Sequence, residues 1–289
     1  MAITAQQVKE LRDKTGAGMM DCKKALTESN GDFEKAIEIL RKKGASVAAK
    51  RAERTANEGI VLTKILDGGK SAVIIEVNCE TDFVASSDDF LSFANTALDA
   101  VVENKPADVA ALLEIEKDGV KIGQLLTDAI GKIGEKIEIS RFVIETAENG
   151  IVVDYIHHGS KLGVLIKAEN VPAGKEEDLT AILKDVAMQV AAMKPLSVYR
   201  EEVAKDVIEK EIEIYKEVAR KEGKPEQILE KIATGKMNKF FEENCLFEQV
   251  YVKDNSKKIG DLIKEFNSAN GAETKIVLFH RFHLSDEKK

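Results

Sequence analysis

"EGIVLTKILDGGKSAVII", residues 58–75, decides the fold of this chain, because residues 149–166 repeat its pattern as "NGIVVDYIHHGSKLGVLI". The two stretches match at a constant offset of 91 positions, which aligns Gly59 with Gly150. Each contains two runs of aliphatic residues around a glycine-containing turn, which is the pattern of a β-hairpin. The sequence therefore predicts a core that is built from two copies of one unit.

The repeat continues beyond the hairpins. An amphipathic helix is predicted after each one, at 90–102 in the first copy and 179–193 in the second. Both copies then carry a Lys-Ile-Gly segment that opens another helix, followed by a final strand. Because helices on one face of a mainly antiparallel sheet make an α+β unit, we expect an α+β fold with two duplicated subdomains. Their predicted bounds are 56–145 for the first, and 146–196 together with 244–285 for the second.

The second copy is longer because a charged helical segment is inserted at 197–243. Apolar residues at helical spacing lie on both sides of the turn "EGKP" at 222–225, which predicts two antiparallel helices. Two such helices cannot bury both of their faces on each other, so a partner or a second copy of the chain could cover the rest.

The sequence pattern of residues 1–40 predicts a separate domain of three short helices. Thr4 and Asp32 are candidate N-caps for the first and third helices, and the turn at Thr15 and Gly16 ends the first. The next stretch, "RKKGASVAAKRAER" at 41–54, contains six basic residues and one acidic residue. We therefore expect a solvated basic linker over 41–55, with a helical form as the alternative.

Composition excludes several classes of protein. With 44% hydrophobic and 33% charged residues the chain is predicted to be globular, and its formal charge of −8 argues against a direct nucleic-acid binder. The three cysteines form no Cys-x-x-Cys motif, so neither a zinc site nor a disulfide framework is indicated. The first residues lack the apolar run of a signal peptide, and no stretch has 18 uninterrupted apolar residues. We expect a cytoplasmic protein with no membrane contact.

No motif for covalent chemistry was found in the sequence. The four histidines fall in the pairs 157–158 and 280–283, and residues one or three apart on a strand point to opposite faces, so neither pair can easily chelate a metal. The segment "TGAG" at 15–18 has no preceding strand and lacks Gly-Lys-Ser/Thr, which favours a turn over a phosphate loop. We therefore predict no catalytic residues, no metal, no cofactor and no enzyme activity.

One loop is unusual for its chemistry. After the predicted strand 71–78 the chain reads "CETDFVASSDDF", and it places Phe83 directly after Asp82 in an acidic loop. Loops normally exclude large apolar side chains, so Phe83 either packs beneath its own loop or is offered to another molecule. Packing beneath the loop is the simpler alternative.

Two segments carry a family resemblance. "LRDKTGAGMMDCKKAL" at 11–26 and "EVNCETDFVA" at 76–85 closely resemble the two signature segments of bacterial translation elongation factor Ts. This resemblance implies a ubiquitin-associated-like N-terminal domain, two related core subdomains and an inserted helical hairpin. It also implies guanine-nucleotide exchange on the GTPase elongation factor Tu, an activity that requires no covalent chemistry.

The resemblance also assigns site residues. It implies that the segment Thr81, Asp82, Phe83 and Val84 enters the partner's nucleotide domain and disturbs its Mg²⁺ site. Further partner contacts are implied at Arg12, Met19, Met20, Lys23, Ile133, Gly134 and His158. For Ile133, Gly134 and His158, core packing or turn polarity is the alternative role. We expect one of the two adjacent methionines to face the core and the other to be exposed.

The sequence leaves alternatives to nucleotide exchange. A ubiquitin-associated-like domain is a recognition module, so the chain could be an adaptor without exchange activity. The basic stretch 41–54 could bind tRNA or the ribosome, although the net charge and the lack of interleaved aromatic residues argue against it. The sequence stops soon after "RFHL" at 281–284, so the C-terminal helix of longer family members is expected to be missing. In some members the inserted hairpin is associated with a homodimer.

Overall fold

The computed structural model describes residues 3–286, and its first part is a three-helix unit. The helices are α1 (Ala5–Thr15), α2 (Met19–Glu28) and α3 (Phe33–Arg51). The predicted N-caps are confirmed, because Thr4 Oγ1 accepts a hydrogen bond from Gln7 N and Asp32 Oδ1 accepts one from Lys35 N. The small core of the unit consists of Val8, Leu11, Cys22, Ala25, Leu26 and Ala36.

The first copy of the repeat follows in the predicted order. Its elements are β1 (Glu58–Leu66), β2 (Ser71–Cys79), α4 (Asp82–Ala85), α5 (Asp88–Asn104), α6 (Val109–Glu114), β3 (Glu116–Lys117), β4 (Val120–Lys121), α7 (Ile122–Ile133) and β5 (Ile137–Thr146). β1 and β2 form the expected hairpin, and the final strand β5 pairs antiparallel with β2, which makes the sheet order β1-β2-β5. α5 and α7 pack on one face of this sheet.

The second copy reproduces this arrangement around its insertion. Its elements are β6 (Ile151–Ile156), β7 (Leu162–Glu169), α8 (Glu176–Met193), α9 (Lys205–Lys221), α10 (Glu226–Asn244), β8 (Val250–Tyr251), β9 (Asp254–Lys258), α11 (Ile259–Asn270) and β10 (Lys275–His283). The sheet order is β10-β7-β6, so the second strand of the hairpin is again central. The antiparallel helices α9 and α10 are the inserted hairpin. The α+β fold with two three-stranded antiparallel sheets is confirmed.

Two matching glycines show why the repeat keeps its pattern. A Cβ on Gly59 would lie 2.1 Å from the carbonyl oxygen of Val77, and a Cβ on Gly150 would lie 1.8 Å from that of Ala168. Both distances are far inside van der Waals contact, so only glycine allows the two strands to approach here. The equivalent positions of the two hairpins therefore meet the same steric requirement.

The two sheets pack against each other through the faces that the helices leave free. Val61 and Ile74 of the first sheet meet Val152 and Leu165 of the second in one buried cluster. Alternate residues of β2 such as Val73 and Ile75 point the other way, toward α5 and α7. All nine residues of β2 are consequently buried, and the core has a helix–sheet–sheet–helix order.

The predicted end of the third helix needs correction. α3 continues beyond residue 40 to Arg51, through most of the stretch predicted as a basic linker, so the helical alternative holds for 41–51. This half of α3 crosses α7 closely, since a Cβ on Gly131 would lie 2.7 Å from Gly44 Cα. Val47 and Ala48 also pack on the first core. The division of the chain into domains stays a prediction.

Candidate partner-binding site

The loop after β2 is ordered by its own hydrogen bonds. Thr81 is the N-cap of α4, because its Oγ1 accepts a hydrogen bond of 3.3 Å from Val84 N. Ser86 Oγ donates to Asp82 O at 3.0 Å. Ser87 Oγ accepts from Phe90 N at 3.4 Å and so begins α5. The segment that carries Asp82 and Phe83 is thus a single helical turn between a strand and a long helix.

Phe83 projects from this turn into solvent. It is 83% exposed, whereas Phe90 on the next helix is fully buried. The simpler alternative, that Phe83 packs beneath its own loop, is therefore wrong. Val84 and Ala85 pack on the first core instead. An aromatic ring held in water at the tip of an ordered turn has apolar surface to offer to another molecule.

The Asp82 carboxylate is exposed beside the ring. Within residues 3–286 it makes no hydrogen bond or ion pair, so its charge is available to a partner. The four signature residues consequently divide into two pairs. Thr81 and Val84 fasten the turn, and Asp82 and Phe83 face outward.

Two carboxylates tie the base of the loop to the segment after α7. Glu135 accepts hydrogen bonds from Thr81 N at 3.0 Å and from Thr81 Oγ1 at 2.9 Å. Glu80 accepts from Lys136 N at 2.7 Å and from Arg51 Nη1 at 2.9 and 3.0 Å. Sequence reasoning missed Glu80, Glu135 and Arg51. These contacts join residues that lie far apart in the chain, so no local sequence motif predicts them.

Ile133 and Gly134 lie beside this junction. Gly134 ends α7 in the left-handed conformation, with φ of 82°, and its N–H donates to Ile130 O at 2.8 Å. Ile133 is half-buried and packs on the first core. The turn that they form places Glu135 within hydrogen-bond distance of Thr81. The structure therefore brings Ile133 and Gly134 together with the loop.

His158 lies in the turn between β6 and β7 and is exposed. Both His157 and His158 lie in the turn and not on a strand, because β6 ends at Ile156. In this turn Lys161 Nζ donates to Glu58 Oε2 at 2.6 Å, and Glu58 pairs with the last residue of β2. The turn is thus at the same end of the molecule as the Phe83 loop.

The pKa of Lys161 reflects this arrangement. The hydrogen bond with Glu58 raises the pKa of Lys161, and the nearby Asp82 carboxylate adds to the rise. Both acidic groups favour the charged ammonium, since opposite charges stabilise each other. Lys161, in the same turn as His158, therefore feels the charge of Asp82.

The four partner-contact residues expected in the N-terminal signature all face solvent. Arg12 and Lys23 are exposed, and Met19 and Met20 are 52% and 64% exposed. The expectation that one methionine faces the core is wrong. Cys22, Ala25 and Leu26 fill the inward face of α2, and both methionines lie in its first turn, outside that face. Two large flexible apolar side chains are thus exposed together, as is common at binding surfaces.

Contacts with α7 join this surface to the core. The Lys132 side chain packs against Gly16, in the turn between α1 and α2, and its Nζ pairs with Asp89 Oδ1 at 2.6 Å. Asp89 lies in the first turn of α5, just after the Phe83 loop. A cleft of about 400 Å³ separates the N-terminal helices from α7.

Comparison of the sequence with known proteins points to one family. A family model described as Elongation factor TS matches residues 80–286, which is more than half of the chain. An Elongation factor Ts of Chlorobium phaeobacteroides is 46% identical over 286 residues, covering 98% of both chains. One of Clostridium kluyveri is 47% identical over 293 residues, covering 99% of this chain and 95% of its own length. The chain belongs to the elongation factor Ts family.

Family membership makes the chain a translation elongation factor, which acts in protein biosynthesis, and confirms the resemblance of the two signature segments. Within residues 3–286 no helix is long and apolar enough to cross a membrane, and no three His, Cys, Asp or Glu residues are grouped to hold a metal ion.

Burial raises the pKa of the Cys79 thiol, next to the loop, to about 12. That thiol is therefore protonated at neutral pH.

Proposed function

We propose that this member of the elongation factor Ts family is a guanine-nucleotide exchange factor for elongation factor Tu. It binds the GDP-bound GTPase in the cytoplasm and promotes GDP release by disturbing the Mg²⁺ and nucleotide site. The observation that carries this proposal is the exposed pair Asp82 and Phe83 on an anchored helical turn. Family membership supplies the partner.

The physics of exchange requires only differential binding. Factor and nucleotide must weaken each other's affinity for the GTPase, and this coupling is reciprocal. An aromatic wedge displaces a helix as it gains apolar contact, and a carboxylate alters the field at a cation that is held largely through water and phosphate. No proton or covalent intermediate is involved, so the chain acts without enzyme chemistry.

The size of the effect requires several contacts. Speeding release about ten-thousand-fold needs roughly 5.5 kcal/mol in favour of the nucleotide-poor state. One exposed phenylalanine supplies only about 2–3 kcal/mol. We assign the rest to the surfaces that surround it at the same end of the molecule. These are Ile133 with Gly134, the turn at His158, and the N-terminal face of Arg12, Met19, Met20 and Lys23.

The test is release of a fluorescent GDP analogue from purified elongation factor Tu. We expect the full chain, added in substoichiometric amount, to accelerate release strongly. In calorimetry it should bind the nucleotide-free GTPase more tightly than the GDP-bound form. Equal affinity for the two forms, or binding that leaves the release rate unchanged, would contradict exchange and favour the adaptor alternative.

A homodimer through the inserted hairpin is a separate proposal. Three apolar side chains of α9 and α10 stay exposed: Ile214, Val218 and Ile228. A second copy could cover them. Sedimentation equilibrium should give twice the chain mass for the wild type and the single mass for Ile214→Ser with Val218→Ser. A monomeric wild type at tens of micromolar contradicts the dimer.

A further inference from the structure

The backbone of α4, and not side-chain packing, sets the direction of Phe83, because the ring is almost fully exposed. A helix of four residues is far too short to be stable alone. Its orientation depends on two attachments to the core. Val84 and Ala85 pack at its C-terminal end, and Thr81 fixes its N-terminal end.

Thr81 is in turn held by both oxygens of one carboxylate. Glu135 Oε2 accepts from Thr81 N, and Glu135 Oε1 accepts from Thr81 Oγ1. Since the hydroxyl gives its proton to Glu135, its lone pair faces Val84 N and caps the helix. The three groups form a chain of hydrogen bonds from the carboxylate to α4, in which each bond strengthens the next.

Glu135 is itself fixed in place. It follows Gly134, whose left-handed conformation ends α7, and the next residue, Lys136, donates its N–H to Glu80. Each of the segments 80–81 and 135–136 thus donates a backbone N–H to a carboxylate of the other. Arg51 pairs with the same Glu80 carboxylate. The carboxylate that holds Thr81 therefore belongs to a rigid junction.

The second copy of the repeat lacks this junction. α7 and α11 both begin at the isoleucine of a Lys-Ile-Gly segment, and both end at a left-handed glycine, Gly134 and Gly271. The following residue is Glu135 in the first copy and Ala272 in the second. The methyl group of Ala272 accepts no hydrogen bond. Only the first copy, which projects an aromatic ring, has a carboxylate at this position.

From these contacts we propose that Glu135 is a positioning residue for nucleotide release. It holds Thr81 so that α4 presents Asp82 and Phe83 in one orientation, and it acts through the loop because both of its oxygens are used on Thr81. Without it α4 samples several orientations, and only the competent fraction of molecules can act. This inference rests on the proposed exchange function.

The experiment compares Glu135→Ala and Glu135→Gln with the wild-type full chain in GDP release from elongation factor Tu. For Glu135→Ala we expect kcat/KM to fall about ten-fold, which corresponds to about 1.4 kcal/mol. Glu135→Gln keeps one acceptor oxygen and should recover part of the loss. Amide hydrogen exchange of residues 82–85 should become faster in Glu135→Ala, while the melting temperature stays close to that of the wild type.

A double-mutant cycle separates positioning from a general loss of structure. If Glu135 acts through Phe83, then Glu135→Ala should change release little in a Phe83→Ala background. A matched control is Glu169→Ala in the second copy. Glu169 likewise uses both of its oxygens, in its case on the backbone amides of Glu148 at 3.0 Å and Asn149 at 2.8 Å. We expect its loss to leave release unchanged.

Three results overturn the proposal. The first is an unchanged rate of GDP release with Glu135→Ala, and the second is an equal fall in that rate whether or not the Phe83 side chain is present. The third is an equal fall in the rate with Glu169→Ala. If the wild-type chain itself fails to accelerate release, the exchange function is wrong. Hydrogen exchange then decides the positioning role alone. Faster exchange of residues 82–85 in Glu135→Ala supports it, and unchanged protection contradicts it.

Discussion

β2 and β7 are the central strands of the two sheets, yet the segments that follow them differ completely. After β2 the chain forms α4 and projects Phe83. At the hairpins' offset of 91 positions, Phe83 falls on Gly174, in a turn with φ of 78°. At the same offset Thr81 falls on Pro172, which has no N–H to donate. One framework thus carries two unrelated connections.

The difference separates structural requirements from functional ones. Positions inside the framework, such as Gly59 and Gly150, have the same role in both copies because both hairpins meet the same close approach. The connection after the central strand has no such restraint, since it lies at the surface. An aromatic residue exposed in only one of the two connections is not needed for folding and points to a partner.

The largest expected effect is on the framework. Gly59→Ala and Gly150→Ala each place a Cβ against a strand carbonyl, so we expect each to cost more than about 4 kcal/mol or to abolish folding. Urea denaturation measures the loss. Gly235→Ala is the control, because a Cβ there meets nothing within 4 Å on a helix, and it should stabilise the chain by up to about 1 kcal/mol. A stable Gly59→Ala variant would contradict the account of the repeat.

The next effect contrasts two phenylalanines of the first copy. Phe90 is fully buried under β2, so Phe90→Ala should lower the free energy of unfolding by about 3–5 kcal/mol. Phe83→Ala should lower it by well under about 1 kcal/mol. Denaturation of both variants in parallel checks this. Similar losses would mean that Phe83 is also part of the core.

Sequence patterns sufficed for the framework. The offset repeat predicted both hairpins, the helices after them and the final strands, because burial imposes a periodic pattern of apolar residues. The packing of one sheet on the other was not predicted. β2 is buried on both faces, so its sequence shows a continuous apolar run that does not say what covers each face.

The candidate site was predictable only in part. Asp82 and Phe83 stood out since an aromatic residue is unusual in an acidic loop. The exposure of both Met19 and Met20 was missed, because helical periodicity does not show where a short helix extends past its core. Glu135 was missed because its contact with Thr81 depends on the tertiary fold.

A smaller effect concerns Cys79, whose equivalent in the second copy is Asn170, a residue that does not titrate. Burial raises the pKa of the Cys79 thiol from 9.0 to about 12. Between these values the unfolded chain loses the proton and the folded chain keeps it, so stability is complete below pH 9 and declines above it. At pH 10 the loss should be about 1 kcal/mol. Denaturation curves of the wild type and Cys79→Ala should diverge in slope above pH 9, and parallel curves would contradict the shift.

The most direct test of the central claim is GDP release from elongation factor Tu by Phe83→Ala. We expect release to be slower by about ten- to a hundred-fold, equivalent to about 1.4–3 kcal/mol of lost differential contact. The control variant is Leu196→Ala, which truncates a side chain that is 58% exposed on the second copy. With this variant, elongation factor Tu should release GDP at the same rate as with the wild-type chain. Unchanged release by Phe83→Ala, or an equal loss in Leu196→Ala, would show that the loop of the first copy is not what drives exchange.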